Sequence, residues 1–399
     1  MRRTNPRNHK QSLSLIFVST LGSLIFFAIG TASAKKPPPP LALCVNHAGS
    51  GGCQTTIQGA VDMVPAGGNA IITIAASVTP YAEDVTVSGI TVSFVGGGAG
   101  MTVVDGANAS SLPTFLFENN SNGELHGLTI ENGNGPQGAN VQFEQFAAKG
   151  NKGVGTLVIE NCEITGGVHP SNVLPEGTVN FEGKMLVIDS TSIVNNNDEG
   201  VLISGVPHAF ITNTTISGNG TPGDNGNAVG CGLRISNGTT VVNNVTITDN
   251  HCIGGTGKDQ SPTEGGGLWM DFPAKVTLSN TVIANNTVAG STPTGPDCAV
   301  PGKGLKSKGF NLIKDTSSCN IKLVGSDIAP GTDPALGSLT TCASSGLEVQ
   351  TPLGGSPLIG AGNPGKLTGK AGSKASNCLP IDECGNARTK GNCSIGAAE

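Results

Sequence analysis

One phrase, N-x-T-I-x-x-N with small variations, recurs along this chain and leaves few folds open to it. It appears as Asn161-Cys-Glu-Ile164, Asn213-Thr-Thr-Ile216-Ser-Gly-Asn219, Asn244-Val-Thr-Ile247-Thr-Asp-Asn250 and Asn280-Thr-Val-Ile283-Ala-Asn-Asn286. Ser190-Thr-Ser-Ile193-Val-Asn-Asn196 is a degenerate copy and Leu128-Thr-Ile130 an earlier one. The isoleucines stand 34, 29, 23, 31 and 36 residues apart. A constant strand phrase at variable spacing means a fixed coil carrying loops of different length.

Each phrase alternates inward and outward side chains, as a strand requires. Leu128, Cys162, Thr191, Thr214, Val245 and Thr281 share the orientation of the isoleucines. Two asparagine columns flank them: Asn161, Asn213, Asn244 and Asn280, and then Asn196, Asn219, Asn250 and Asn286. Asparagine tolerates turn conformations and can bond backbone or a stacked neighbour at each bend. A second strand enters each coil after a glycine, at Gly200-Val-Leu-Ile-Ser204, Gly232-Leu-Arg-Ile-Ser236 and Gly267-Leu-Trp-Met-Asp271. Here Val201, Leu233 and Leu268, with Ile203, Ile235 and Met270, form the core set. Leu202, Arg234 and Trp269, with Ser204, Ser236 and Asp271, form the solvent-facing set. Several parallel strands per coil make an all-β solenoid whose only edges are its two ends. Thr56–Val64 has apolar 3–4 spacing and predicts a short helix capping the first coil, followed by strands at 70–74, 84–87 and 91–95.

The N-terminus places Arg2, Arg3, Arg7 and Lys10 before an apolar run from Leu13 to Ile29, then Ala32-Ser33-Ala34. This predicts a secretory signal peptide over 1–34, followed by a Lys/Pro linker over 35–40. Cleavage removes four of the 22 basic residues and none of the 28 acids, leaving 18 minus 28, or −10. So acidic a chain excludes nucleic acid as a partner, and without a second long apolar run no membrane span is expected after cleavage. The expected location is secreted or periplasmic. Eleven cysteines in an exported chain imply disulfides. Proximity suggests Cys44–Cys53, Cys231–Cys252, Cys298–Cys319, Cys342–Cys384 and Cys378–Cys393, with Cys162 as a free, buried thiol.

The opening TIQGAVDMVPAGGNAIITI, with YAEDVTV and ITVSFVGGGAGMTVVDG, resembles the pectin-lyase-like superfamily of right-handed parallel β-helices. The tail is similar to the choice-of-anchor Q domain proteins. Its matching pieces are Gly295-Pro-Asp-Cys298, Lys308-Gly-Phe-Asn-Leu-Ile313, Cys319, Asp333-Pro-Ala-Leu-Gly337, Gly355-Ser-Pro-Leu-Ile359, Gly362 and Cys393-Ser-Ile-Gly-Ala-Ala-Glu399. Ser394 stands where that family usually has Asp, and Cys384 is an extra cysteine. Members often continue into an anchoring segment, so ending at Glu399 implies a released protein. The expected organisation is a β-helix with its N-terminal cap over 41–295 and a disulfide-bearing C-terminal cap over 296–399. The family carries no single assigned activity.

Two chemistries known on this fold can be tested against the residues. Polysaccharide hydrolysis needs two carboxylates across the bond, and elimination needs a base with cations or Ca²⁺ nearby. The Asn-Thr-Asp, Asp-Asp, Gly-His-Gly and Arg-Ile-Lys elements of polygalacturonase-like members are missing, and Arg234-Ile-Ser236 is only an echo. Glu83-Asp84 and Asp198-Glu199 are adjacent acids expected to face water at coil turns. Arg234 is the only arginine of the helix body. Asp224, Asp259, Glu264 and Asp297 permit Ca²⁺ without a ligand spacing that specifies it. No catalytic residue and no cofactor are therefore assigned, and His126, His169, His208 and His251 do not cluster. Arg234 and Trp269 should instead stack on neighbouring coils of an exposed face, with Asp271 beside them, as a platform for a sugar ring. Loops 220–230 and 251–266 would wall a groove there. The reading is a non-catalytic exported β-helix with a structural or glycan-binding role, a polysaccharide or cell-surface glycan as partner, and a monomeric state. A polysaccharide lyase or glycoside hydrolase is the alternative, and an adhesin-like scaffold the third.

Overall fold

The structure is a computed structural model. It describes residues 38–106, 111–145, 154–168, 177–205, 208–220, 229–254, 263–290, 292–367, 372–373 and 376–399. The leader, His169, Asp224 and Asp259 lie outside these residues, as do the middles of both loops placed beside the platform.

The repeat becomes a right-handed parallel β-helix. Its strands gather into a 16-stranded sheet and an eight-stranded sheet, every neighbouring pair parallel. The isoleucine column is in register from coil to coil: Ile130, Ile164, Ile193, Ile216, Ile247, Ile283 and Ile313, all buried. Parallel pairing continues past residue 295, through Cys298–Ala299, Leu305–Ser307 and Leu312–Ile313. At the N-terminal end the helix Ile57–Val61 buries Ile57, Ala60 and Val61 against the first coil. Thr56 caps it, and Glu83 accepts from Ile57 N and Gln58 N at 2.7 and 2.9 Å. Glu83 thus serves the helix terminus, where a carboxylate is favoured.

The two asparagine columns have different jobs. Asn161, Asn213, Asn244 and Asn280, with Ser190, adopt left-handed φ between 43° and 54° and bend the long sheet. Few residues besides glycine take that conformation without strain, and asparagine is one of them. Asn196, Asn219, Asn250 and Asn286 instead lie inside the coil. Each amide Nδ2 donates to the next Oδ1 at 2.8–2.9 Å, and Asp297 accepts the last bond at 3.0 Å. A carboxylate is an apt terminator because it only accepts. Asp297 is therefore a buried structural acceptor and not a loop residue awaiting a cation.

Five disulfides join Cys44–Cys53, Cys231–Cys252, Cys298–Cys319, Cys342–Cys384 and Cys378–Cys393. Gly362 leaves room for the last, since a Cβ there would meet Cys393 Sγ at 2.6 Å. Cys162 is free and buried, and burial pushes its thiol up to about 12, so it acts as core packing.

The C-terminal region does more than close one end. The described residues between 342 and 399 run along the outside of the long sheet, from Ala99 to Val282 and Leu312. Asn213 donates to the Ile381 carbonyl and accepts from Arg388, while Asn244 donates to the Gly396 carbonyl. Arg388 is 4% exposed and also bonds the Gly396 and Ala397 carbonyls. Glu383 sits in a nest of hydroxyls and amide from Ser192 and Thr215. The bend asparagines are thus docking points for the chain's own tail.

Candidate binding face on the second sheet

The eight-stranded sheet presents two outward columns. The first runs Thr86, Leu116, Gln142, Asn180, Leu202, Arg234, Trp269 and Ala299. The turns that enter each strand partly roof it. Gly177 lies against Leu202 so closely that a Cβ there would stand 2.9 Å from the Leu202 Cβ. Leu202 is consequently buried, against the expectation that it faces solvent. The second column lies at the strand ends: Ser88, Glu118, Glu144 and Glu182, continued by Ser204, Ser236 and Asp271 through bonds from their backbone N–H groups to the preceding coil. None of these seven is buried, and Asp271 is exposed.

Arg234 and Trp269 are direct neighbours across two coils. The guanidinium carbon lies 5.6 Å from the centre of the indole ring, a cation–π arrangement. Arg234 Nη1 also bonds Glu199 Oε1 at 3.2 Å. Glu199 and Asp198 are fully buried, which corrects their placement at a watery turn. The physical reason is that Arg234 of the next coil reaches Glu199, and a buried carboxylate needs such a partner, while Asp198 accepts from the Glu199 backbone N–H at 2.8 Å. Trp269 Nε1 donates to Glu264 Oε2 at 3.4 Å, and Glu264 accepts from Thr294 as well. So Glu264 positions the indole. Gly230 and Gly265, both at positive φ, clear its back: a Cβ on either would fall 2.9–3.0 Å from the Trp269 Cβ.

The indole is therefore half-buried and clamped at its rim, where full exposure was expected. Asp271 accepts from the Phe272 backbone N–H at 2.7 Å and otherwise faces water. The ring and the carboxylate stand on one outward side, two residues apart, Asp271 directly after the strand Leu268–Met270.

Three further carboxylates stand in this column. Glu118, Glu144 and Glu182 each end a Φ-x-Phe-Glu phrase, in Phe115-Leu-Phe-Glu118, Val141-Gln-Phe-Glu144 and Val179-Asn-Phe-Glu182. That phrase is a readable repeat. Its phenylalanines stack in the core, Phe117 on Phe143 at 5.8 Å and Phe143 on Phe181 at 5.0 Å, which holds the acids one above another outside. Burial pushes Glu144 above the usual carboxylate range, and Glu182 and Glu118 add to it. Gln142 donates to Glu144 at 2.5 Å and Ser204 to Glu182 at 2.8 Å.

Elsewhere, the histidines stay apart. His126 bridges Glu124 and Glu160 at 3.4 and 3.3 Å on the long sheet, and His251 meets Thr287 at 2.7 Å. Among the described residues no group of three or more His, Cys, Asp or Glu side chains could hold a metal ion. No helix among them is long and apolar enough to cross a membrane.

Residues 152–295 match the family described as right-handed beta helix region. No curated protein matches the chain. Among solved structures, the chain is similar to ybhc of Escherichia coli, at 12% identity over 75% of this chain and 79% of that one, TM-score 0.31. It is also similar to pectin methylesterase from carrot, at 15% identity over 69% and 90%, TM-score 0.29. The fold rests on the strand pairing and on the family match.

Proposed function

We propose that this protein is an exported, pectin-lyase-like β-helix that binds glycan on the outer face of its second sheet without cleaving it. One observation carries the reading: the indole of Trp269 is fixed before any ligand arrives. Arg234 lies on it, Glu199 holds Arg234, and Glu264 holds the indole N–H. A rigid aromatic face with polar groups at its rim suits a sugar ring, since its ordering cost is met during folding. Asp271, exposed at the end of the same strand, supplies an acceptor for sugar hydroxyls. Asp271 and Glu264 beside the ring, with Glu182, Glu144 and Glu118 three to five coils away in the Asp271 column, disfavour polyuronates and leave uncharged chains as the favoured class. Five disulfides support an oxidising compartment, and the basic, apolar, Ala-x-Ala leader supports export. The ordered tail motifs support a choice-of-anchor-Q-like region, and the reading requires neither Ca²⁺ nor a second subunit.

An immobilised-glycan screen tests it. The wild-type protein should retain uncharged glycans, and Arg234→Ala/Trp269→Ala should lose them. Undiminished retention by that variant rejects the site, and a screen without any bound glycan turns the reading toward an adhesin-like scaffold.

A polysaccharide lyase or glycoside hydrolase has one observation in its favour. Glu144, held above the usual range, stands one coil from a second carboxylate, Glu182. Paired acids of unequal proton affinity are what glycosidic cleavage uses. Under that reading a polysaccharide panel yields new reducing ends or unsaturated products, and Glu144→Gln removes them. A panel without product ends it.

A further inference from the structure

We infer that the glycan site has a second aromatic platform, Phe272, and that an uncharged oligosaccharide long enough to lie on both rings is the preferred ligand. This rests on the binding role proposed for Trp269. Phe272 is 73% exposed, the most open Phe, Tyr or Trp side chain among the described residues. A single exposed apolar residue needs no explanation by itself. Phe272, however, follows Asp271 directly and lies two residues past the end of the strand Leu268–Met270 that carries Trp269.

The intervening chain is short. Three residues place the two Cα atoms at most about 11 Å apart, so a short oligosaccharide spans both rings. Asp271 stands between them as a hydrogen-bond acceptor. Phe272 is also supported from behind. A Cβ on Gly302 would meet the ring carbon Cδ2 at 3.5 Å, ordinary contact, so the backbone of the next coil backs the ring while its remaining surface faces water. Exposed Lys303 lines the same edge and offers a donor across from Asp271.

The charge pattern selects the ligand class. Asp271 stands between the rings and Glu264 at the indole rim, and Glu182, Glu144 and Glu118 follow three, four and five coils away in the Asp271 column. Of the cations beside the rings, Arg234 is already paired with Glu199, while Lys303 stands next to Phe272. A polyanion would meet net repulsion, whereas an uncharged chain can lay its C–H faces on the rings and give its hydroxyls to the acids. The occupant is thus an uncharged pyranose chain, and not a polyuronate.

The experiment is a calorimetric titration of the full mature protein with cellohexaose, xylohexaose and galactohexaose, each also as its disaccharide, and with polygalacturonate. Phe272→Ala should weaken the best-bound hexasaccharide about tenfold and leave its disaccharide unchanged. Trp269→Ala should abolish both. Polygalacturonate should bind least. Phe272 supports nothing in the core, so the variant's thermal transition should match wild type. A Phe272→Ala protein that binds the hexasaccharide like wild type, while Trp269→Ala fails, overturns the second platform and leaves the first. Unchanged binding by Trp269→Ala overturns the underlying site as well. Tighter binding of polygalacturonate than of every uncharged hexasaccharide, or no binding by any of these probes, overturns the ligand class.

Discussion

The two sheets of this helix treat their outer faces in opposite ways. The long sheet is covered from Ala99 to Leu312 by the chain's own tail, and its outward groups are spent on that contact. Asn213, Asn244, Ser192 and Thr215 each bond a tail residue. Val187, Phe210 and Val241 face outward yet are nearly as buried as the core. The second sheet leaves its strand-end column open and clamps one aromatic ring on it. Similar strand chemistry thus produces a sealed flank and a presenting face. What decides between them is which side the last sixty or so residues cover.

The largest expected effect is on the sealed side. Arg388 is buried, with one hydrogen bond to Asn213 of the sheet, three to the tail carbonyls of Ile381, Gly396 and Ala397, and an ion pair to Glu399 at 3.3 Å. Arg388→Ala leaves several buried acceptors unmet and should cost about 3–5 kcal/mol of unfolding free energy by denaturant titration. The same variant should expose the Val187–Phe210–Val241 patch to a hydrophobic dye. A loss below 1 kcal/mol would mean that the tail merely rests on the sheet.

An intermediate effect is expected inside the coil. Asn219→Ala breaks the asparagine ladder in its middle, removing the acceptor for Asn196 and the donor to Asn250. It should cost about 2 kcal/mol through unsatisfied buried amides. Glycan retention should be unchanged, because the ladder does not touch the second sheet's outer column.

The smallest effect is a pH trend, carried by groups of the long sheet. Burial, with Glu348 and Glu131 nearby, pushes Glu163 from 4.5 up to about 7. Burial pushes Asp189 from 3.8 up to about 6, against the bond from Thr212. Burial works against charge on His126, but Glu124 and Glu160 outweigh it and lift the ring from 6.5 to about 9. In each case the folded protein holds a proton that the unfolded chain has released, so stability falls as pH rises. The two acids act between about pH 4 and 7 and the histidine between about 6.5 and 9. The thermal midpoint should be higher at pH 5 than at pH 8.5, and Glu163→Gln/Asp189→Asn should flatten the lower half of the trend. A midpoint that rises with pH contradicts this.

The coil was legible because its rule is local. Strand alternation and one phrase per turn placed the isoleucines, both asparagine columns and the neighbours Arg234 and Trp269. What lies over a strand is not local. Nothing within Gly200–Ser204 says that Gly177 will roof Leu202, and nothing within Asp198-Glu199 says that Arg234, 35 residues on, will claim Glu199. The tail's path along the flank was hidden for the same reason, since Arg388 finds Asn213 across 175 residues. The carboxylates at 118, 144 and 182 are different: their Phe-Glu repeat was present in the sequence, masked by the stronger asparagine phrase.

The distinction between a sealed flank and a presenting face turns on Trp269, which is the only tryptophan of the chain. Its fluorescence therefore reports one site and nothing else. Titration of an uncharged glycan retained in the screen should shift or quench that emission with the same midpoint as binding measured by calorimetry. Saturable glycan binding that leaves the emission unchanged would place the ligand elsewhere and contradict the account.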